Sequence, residues 1–283
     1  MNRLIGKRVV ITGAASGLGR SLSTALAAKG CKLGIVDIND AGAEETLEMV
    51  KRAGGTGEVF HADVTVPADI KGMADHFFDA WGGVDLLINN AGVAVGGFIG
   101  DIPLEDWKWI FDVNYWGVLY GCHEFFPRMK AQGSGQIANV ASSAGLLSLT
   151  EMAPYSITKA AVISLSEILR IEAAPHNVGV TAVCPMFFET NLLKDSRTTE
   201  EWVLEMANTA FRRARMTSDE VASRVLSGVE KNRLFVIPQL SGKVFWLTKR
   251  LMPETNNRIF KLLSKHGWLR SVMDRLARWG LIQ

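Results

Sequence analysis

Short apolar strands alternate with amphipathic helices along most of this chain, and the first strand runs straight into a glycine-rich turn. Lys7-Arg8-Val9-Val10-Ile11 is the strand, Thr12-Gly13-Ala14-Ala15-Ser16-Gly17-Leu18-Gly19 the turn, and an amphipathic helix follows to about Lys29. Glycines at such a turn let the backbone approach a pyrophosphate closely, and the helix N-terminus offers free N–H groups to its negative charge. A second strand, Lys32-Leu33-Gly34-Ile35-Val36, ends in Asp37. A carboxylate there accepts hydrogen bonds from adenosine ribose hydroxyls and repels a 2′-phosphate. Neither Ser16 nor Ile38 adds a compensating positive charge, so the pattern favours NAD over NADP.

The alternation continues with a helix over 41–53, a strand over 57–61, a helix from Pro67 to about 81 and a strand over 84–88. Further strands fall at 136–141, 180–184 and 233–237. Strands separated by helices of this length imply a doubly wound parallel sheet, α/β in class, with helices on both faces and ligands at the strands' carboxyl ends. Asn89-Asn90-Ala91-Gly92 sits at one of those ends. The helical pattern after Pro103 places Asn114 among Trp107, Ile110, Phe111 and Val118. Burying an unpaired amide is costly, so Asn114 is either a surface residue or a buried one with a partner.

From Asn139 to Lys159 a strand end carries Ser142 and Ser143, and a helix opening at Pro154 sets Tyr155 and Lys159 four apart on one face. A free tyrosine has a pKa of about 10, so acid/base work near neutrality asks for about three units, roughly 4 kcal/mol. One exposed lysine supplies less than that, so a second positive charge is required, and an oxidised nicotinamide ring would provide it. Either serine can hydrogen-bond a substrate alcohol or carbonyl oxygen.

Taken together, Thr12-Gly-x-x-x-Gly17-x-Gly19, Asp37, Asp63-Val64, Asn89-Asn-Ala-Gly92, Asn114, Ser142 and Tyr155-x-x-x-Lys159 resemble the short-chain dehydrogenase/reductase family over roughly residues 4 to 240. The resemblance implies a single Rossmann-like domain and an NAD(P)-dependent oxidoreductase that forms a homodimer or homotetramer. It prefers Ser142 to Ser143 by its interval from Tyr155. It makes Tyr155 the acid/base, Ser142 the residue that orients substrate oxygen, Lys159 the group that lowers the tyrosine's pKa and binds ribose, and Asn114 the holder of a relay water. It implies cofactor contacts from Thr12, Gly13, Ser16, Gly17, Leu18, Gly19, Asp37, Asp63, Val64, Asn90, Ala91, Gly92, Pro185 and Thr190. One departure stands out: Met186 follows Pro185 where the family usually has glycine, so either cofactor geometry changes there or Met186 narrows the substrate pocket.

The remaining expectations concern substrate and surroundings. Val93, Leu146, Met152, Met186, Phe187 and Leu192 are candidate pocket residues, apolar and without a nearby basic cluster, which suits a lipophilic secondary alcohol or ketone. The alternatives are an NADH-dependent carbonyl reductase or a membrane-associated NAD-binding scaffold without turnover. Overall net charge is only +2, which argues against nucleic-acid binding, but residues 241–283 carry nine Lys or Arg against two acids. The chain therefore divides into a catalytic domain over 1–240 and a basic helical extension over 241–283. Trp268, Val272, Leu276 and Trp279 share a face of that extension, fit for packing or for an anionic membrane surface. Three widely spaced cysteines, the strand that begins soon after Met1, and the lack of an apolar run of about 18 residues point to a cytoplasmic protein or one peripheral on a membrane. No metal site is expected.

Overall fold

Val9 and Ile11 face one side of the first strand and Val10 the other, as a side-chain period of two requires, and the whole architecture keeps this division. The computed structural model describes residues 4–190, 192–194 and 196–279; residues 1–3 ahead of the first strand and 280–283 at the end of the extension lie outside them. The elements run β1 (Arg8–Thr12), α1 (Gly17–Ala27), β2 (Lys32–Asp37), α2 (Asp40–Arg52), β3 (Thr56–His61), α3 (Pro67–Trp81), β4 (Leu86–Asn89), β5 (Val95–Gly96), α4 (Leu104–Phe111) and α5 (Gly117–Gln132). They continue with β6 (Gly135–Val140), α6 (Ser143–Leu147), α7 (Ala153–Ala173), β7 (Val178–Val183), β8 (Arg197–Thr198), α8 (Glu201–Arg212), α9 (Ser218–Glu230), β9 (Phe235–Val236), α10 (Leu240–Leu251), α11 (Pro253–Lys265) and α12 (Trp268–Arg278).

Seven strands pair in the order β3-β2-β1-β4-β6-β7-β9, all parallel, which is the expected doubly wound sheet. On one face Leu22, Leu26, Leu47 and Val225 of α1, α2 and α9 pack on Val9, Ile11, Leu33 and Ile35. On the other Phe77, Phe125 and Val162 of α3, α5 and α7 pack on Val10, Leu87 and Ile137. Because β1 lies between β2 and β4, the loops leaving β1 and β4 diverge and open a crevice at the carboxyl edge.

Two features depart from a simple alternation. The pattern after Pro103 is interrupted by a π-helical turn, Asp112–Trp116, between α4 and α5, and this turn carries Asn114 fully buried. Single π turns of this kind recur at functional sites. In addition β5 and β8, two residues each, pair through Val95↔Arg197 and Gly96↔Thr198, tying the segment beyond Pro185 to the loop after β4.

The extension closes back on the domain. In α12 the buried residues are Leu269 and Ala277, with Met273 and Leu276 packed beside them, whereas Trp268 and Trp279 are 58% and 64% exposed. The tryptophan face expected from the sequence is therefore displaced round the helix, and Trp268 stacks on His266 instead. The reason is steric: Ala277 meets Met206 and Ala210 of α8, and small residues allow that close helix approach. Arg270 fastens the same helix, 3.2 Å from Glu200 and 3.7 Å from Glu151, with its guanidinium over the Trp202 and Phe98 rings. Among the described residues no helix is long and apolar enough to cross a membrane.

An Ala277→Asp substitution would bury a carboxylate in this contact at a cost on the order of several kcal/mol. Hydrogen exchange is expected to accelerate through α12 while the sheet stays protected; unchanged exchange in α12 would count against the docking.

Candidate active site

At the crevice the glycine turn is held from the neighbouring strand. Asn90 Nδ2 donates to the carbonyls of Thr12 and Gly13, both at 2.9 Å, and Thr12 Oγ1 accepts from the N–H groups of Asn90 and Ala91. Gly13 has φ of +64°, and a Cβ there would lie 2.7 Å from Ala91 Cα. A Cβ on Gly19 would lie 2.2 Å from the Gly13 carbonyl oxygen. Both contacts are with backbone, so neither glycine tolerates a side chain. Gly17 also has positive φ, Leu18 is in the core, and Ser16, the N-cap of α1, is exposed with its hydroxyl not used for capping.

Asp37 and Asp63 sit at successive strand ends. Asp37 accepts from the N–H groups of Ala15 and Asn39, which fixes the carboxylate beside the turn. Asp63 Oδ1 accepts from the N–H and hydroxyl of Thr65, and Val64 packs where a Cβ on Gly117 would stand.

Ser142, Tyr155 and Lys159 converge where β6 ends. Ser142 caps α6 by accepting from Ala144 N–H, has its Oγ 3.4 Å from the Pro185 carbonyl and lies close to the Tyr155 hydroxyl, whereas Ser143 Oγ donates to the Cys184 carbonyl. Lys159 is 3% exposed; its Nζ donates to the Val140 carbonyl at 2.9 Å and lies 5.8 Å from the centre of the Tyr155 ring. Burial pushes the Tyr155 phenol up, with nearby Ser142 opposing. Burial likewise brings Lys159 down to about 8, with Cys184 opposing. At 5.8 Å from the ring, Lys159 does not offset the burial of the tyrosine. Asn114 makes a two-way bond to the backbone of Val93, accepting from its N–H and donating to its carbonyl, with a longer bond to Thr158. A Cβ on Gly92 would meet both Asn114 Oδ1 and Lys159 Nζ at 3.2 Å, so these three residues meet at one point.

Ser142 and Tyr155 open into a cavity of about 380 Å³ whose surface is mainly apolar. Met152, Met186, Phe187 and Leu192 line it as expected. Val93 and Leu146 do not: Val93 turns into the packing around Ile110, and Leu146 faces the core while its neighbour Leu147 takes the cavity side. Pro185 also lines the cavity, and its carbonyl accepts from Ser143 N–H; Thr190 is partly exposed and lies outside the wall. Met186 has no left-handed backbone, so the loss of glycine introduces no strain. Its N–H donates to Gln239 Oε1, and its sulfur packs 3.0 Å from where a Cβ on Gly242 would be, so it seats α10. The far wall comes from the extension: Phe245, Lys249, Asn256, Phe260, Leu269 and Met273. Nothing in the spacing of residues 241–283 signals that they meet Ser142.

The turn, the fixed Asp37 carboxylate and a buried ammonium with donors to spare suit a nicotinamide dinucleotide laid across the crevice, with its reactive end toward Tyr155. Among the described residues no cluster could hold a metal ion, and the three cysteines are buried, with Cys122 and Cys184 pushed up to about 12.

Comparison with known proteins agrees with this geometry. The family profile described as short chain dehydrogenase matches residues 7–201. A Mycobacterium tuberculosis protein named SadH is 32% identical over 263 residues, covering 92% of this chain and 95% of its own. The crystal structure of a short chain dehydrogenase/reductase from Burkholderia phymatum in complex with NAD superposes with a TM-score of 0.85 at 30% identity, covering 90% of this chain and 96% of that one. A short-chain type dehydrogenase/reductase from Mycobacterium marinum gives a TM-score of 0.74 at 26% identity, covering 83% and 94%.

The depressed Lys159 has a testable effect on stability. Its folded pKa of about 8 lies below the ordinary 10.5, so below about pH 8 the fold carries a buried charge that the unfolded chain solvates. Between those values the unfolded chain binds more protons, and stability rises with pH. Lys159→Met is expected to be more stable than the parent at pH 7 by ~2 kcal/mol, the charge penalty less one hydrogen bond. That advantage should shrink as pH rises from about 8, in denaturant titrations at several pH values.

Proposed function

This chain belongs to the short-chain dehydrogenase family of oxidoreductases, and on that premise we propose that it interconverts a lipophilic secondary alcohol and its ketone using NAD, with Tyr155 as the acid/base. The observation that carries the reading is the meeting of the Ser142 and Tyr155 hydroxyls, backed by buried Lys159, at the wall of a mainly apolar cavity. The preference for NAD is supported by Asp37 and by Arg20, whose guanidinium is committed to the carbonyls of Ala15 and Gly42 and to Glu45. It is supported also by the NAD complex of the Burkholderia phymatum protein.

In this reading the Ser142 hydroxyl holds the substrate oxygen, and Tyr155 Oη takes the alcohol proton on oxidation or returns it on reduction. Bound NAD supplies the acceptor for the hydride leaving the carbinol carbon and, when oxidised, the positive charge that favours the tyrosinate. Lys159 uses its free donors on the ribose and its charge on the phenolate. Asn114 positions these groups by fixing Val93 and so the Gly92 backbone beside Lys159. The same residues serve an NADH-dependent reductase, since direction follows the cofactor ratio.

The test is NADH formation across secondary alcohols of rising chain length and a few steroids. Turnover should rise with apolar size, and Tyr155→Phe should reduce it roughly 10²–10⁴-fold with NAD affinity retained. A variant with parental turnover would remove Tyr155 from the chemistry; activity confined to small polar alcohols would remove the substrate class.

A homodimer or homotetramer belongs to the same reading. On α7 the side chains of Ile157, Ile168 and Ile171 are exposed, the last at 77%, and their spacing places them on one stripe. Sedimentation should show an assembly in the parent and a monomer in an Ile168→Asp, Ile171→Asp double variant; a monomeric parent would sink the assembly.

A further inference from the structure

The cavity has a second polar group set, far in sequence from the first and supplied wholly by the extension. Lys249 of α10 reaches across to α6, where its Nζ donates to the Leu146 carbonyl at 2.9 Å and to Ser148 Oγ at 2.8 Å. Two of its three N–H groups are thereby used, and no described residue accepts from the third. Among the described residues no carboxylate pairs with it and no Asp or Glu lines the cavity. Its neighbours behave differently: Arg270 has two carboxylates, Arg278 has Asp274, and Arg250 lies over the Trp246 ring. The same cavity wall carries Asn256 and Asn257 of α11, whose amides add donors without adding an anion.

A lysine near the end of a short helix has a simpler use, as a cap on the last carbonyls. That use does not require placement on a cavity wall, nor the partial burial that pulls this ammonium below its ordinary value. A partly buried cation at the border of an apolar space, with no described carboxylate beside it, is a place where an anion would gain a charge-assisted hydrogen bond.

We infer that Lys249, with Asn256 and Asn257, receives a carboxylate, so that the substrate is an amphiphile: a fatty-acid-like chain with an acid group at the extension and a secondary hydroxyl or keto group at Ser142 and Tyr155. This rests on the proposed dehydrogenase reading and narrows its substrate class. The sequence shows no basic cluster near the pocket residues, and the single cation invoked here comes from the extension, a segment that only the fold brings to the cavity. The role assigned to Lys249 is specificity through charge, and it has no part in moving hydride or proton.

The experiment uses fatty acids hydroxylated on the penultimate carbon and their methyl esters, with NAD and the full chain, in the parent, Lys249→Gln and Lys249→Arg proteins. The parent should favour acid over ester by about tenfold or more in kcat/KM, chiefly through KM, the scale of one charge-assisted hydrogen bond. Lys249→Gln, which can still bond Leu146 and Ser148, should bring the ratio near unity, and Lys249→Arg should restore much of it. Equal kcat/KM for acid and ester in the parent would overturn the inference while leaving the dehydrogenase reading intact. So would a ratio unchanged in Lys249→Gln, the result expected of a helix cap. Calorimetric binding of hexadecanoic acid against its methyl ester decides the matter without turnover: the parent should prefer the acid and Lys249→Gln should not, and equal affinities in the parent would overturn the inference even if no alcohol proves to be a substrate.

Discussion

The clamp between Thr12 and Asn90 is the interaction on which the rest of this site depends. β1 and β4 are neighbours in the sheet but lie almost eighty residues apart in the chain, and their outgoing loops run to opposite sides. Four hydrogen bonds between one hydroxyl, one amide and the adjoining backbone join those loops. They hold Gly13 in a left-handed conformation and bring Ala91 within what would be side-chain distance. The glycines are thus required twice, by the backbone angle and by the clamp, and Gly92 follows directly as the place where Lys159 and Asn114 meet.

Burial then does for Tyr155 and Lys159 what proximity alone does not. Desolvation raises the phenol and lowers the ammonium, so both groups are displaced toward their neutral forms. A cationic ring laid against them would reverse the first displacement. On the proposed reading the proton chemistry of this site is incomplete without its cofactor, and incompleteness of that kind protects against idle chemistry by the free protein.

Met186 links this centre to the extension. Where a glycine would have left a gap, its sulfur supports Gly242, and Gln239 holds both the Met186 N–H and the Phe187 carbonyl. The basic segment consequently becomes a wall of the cavity, and the charge it brings is sorted by partner: Arg270 fastens, Arg250 stacks, Lys249 faces the pocket. A departure from the family pattern, read in isolation, suggested either altered cofactor geometry or a narrower substrate pocket; in three dimensions Met186 lines the cavity and packs α10.

The order of strands and helices, the glycine turn and the Tyr155–Lys159 spacing were legible from residues 7–240 because each is local: period two, period 3.6 and a turn need only neighbours in sequence. For Asn114 the residues alone left a surface position and a buried one with a partner both open, and its partner, the Val93 backbone, was not legible, since that bond depends on a π turn no local pattern announces. Of the α12 face read from the sequence Leu276 packs as expected, while the two tryptophans turn outward for a related reason. Hydrophobicity favoured the tryptophans, but the surface of α8 has room for Ala277. By itself, then, the sequence determined the fold, the crevice and the identity of the groups around Ser142 and Tyr155. Only the tertiary structure decided which wall faces those groups, because a cavity is enclosed by contacts between distant segments, and such contacts are selected by shape and desolvation over the whole chain.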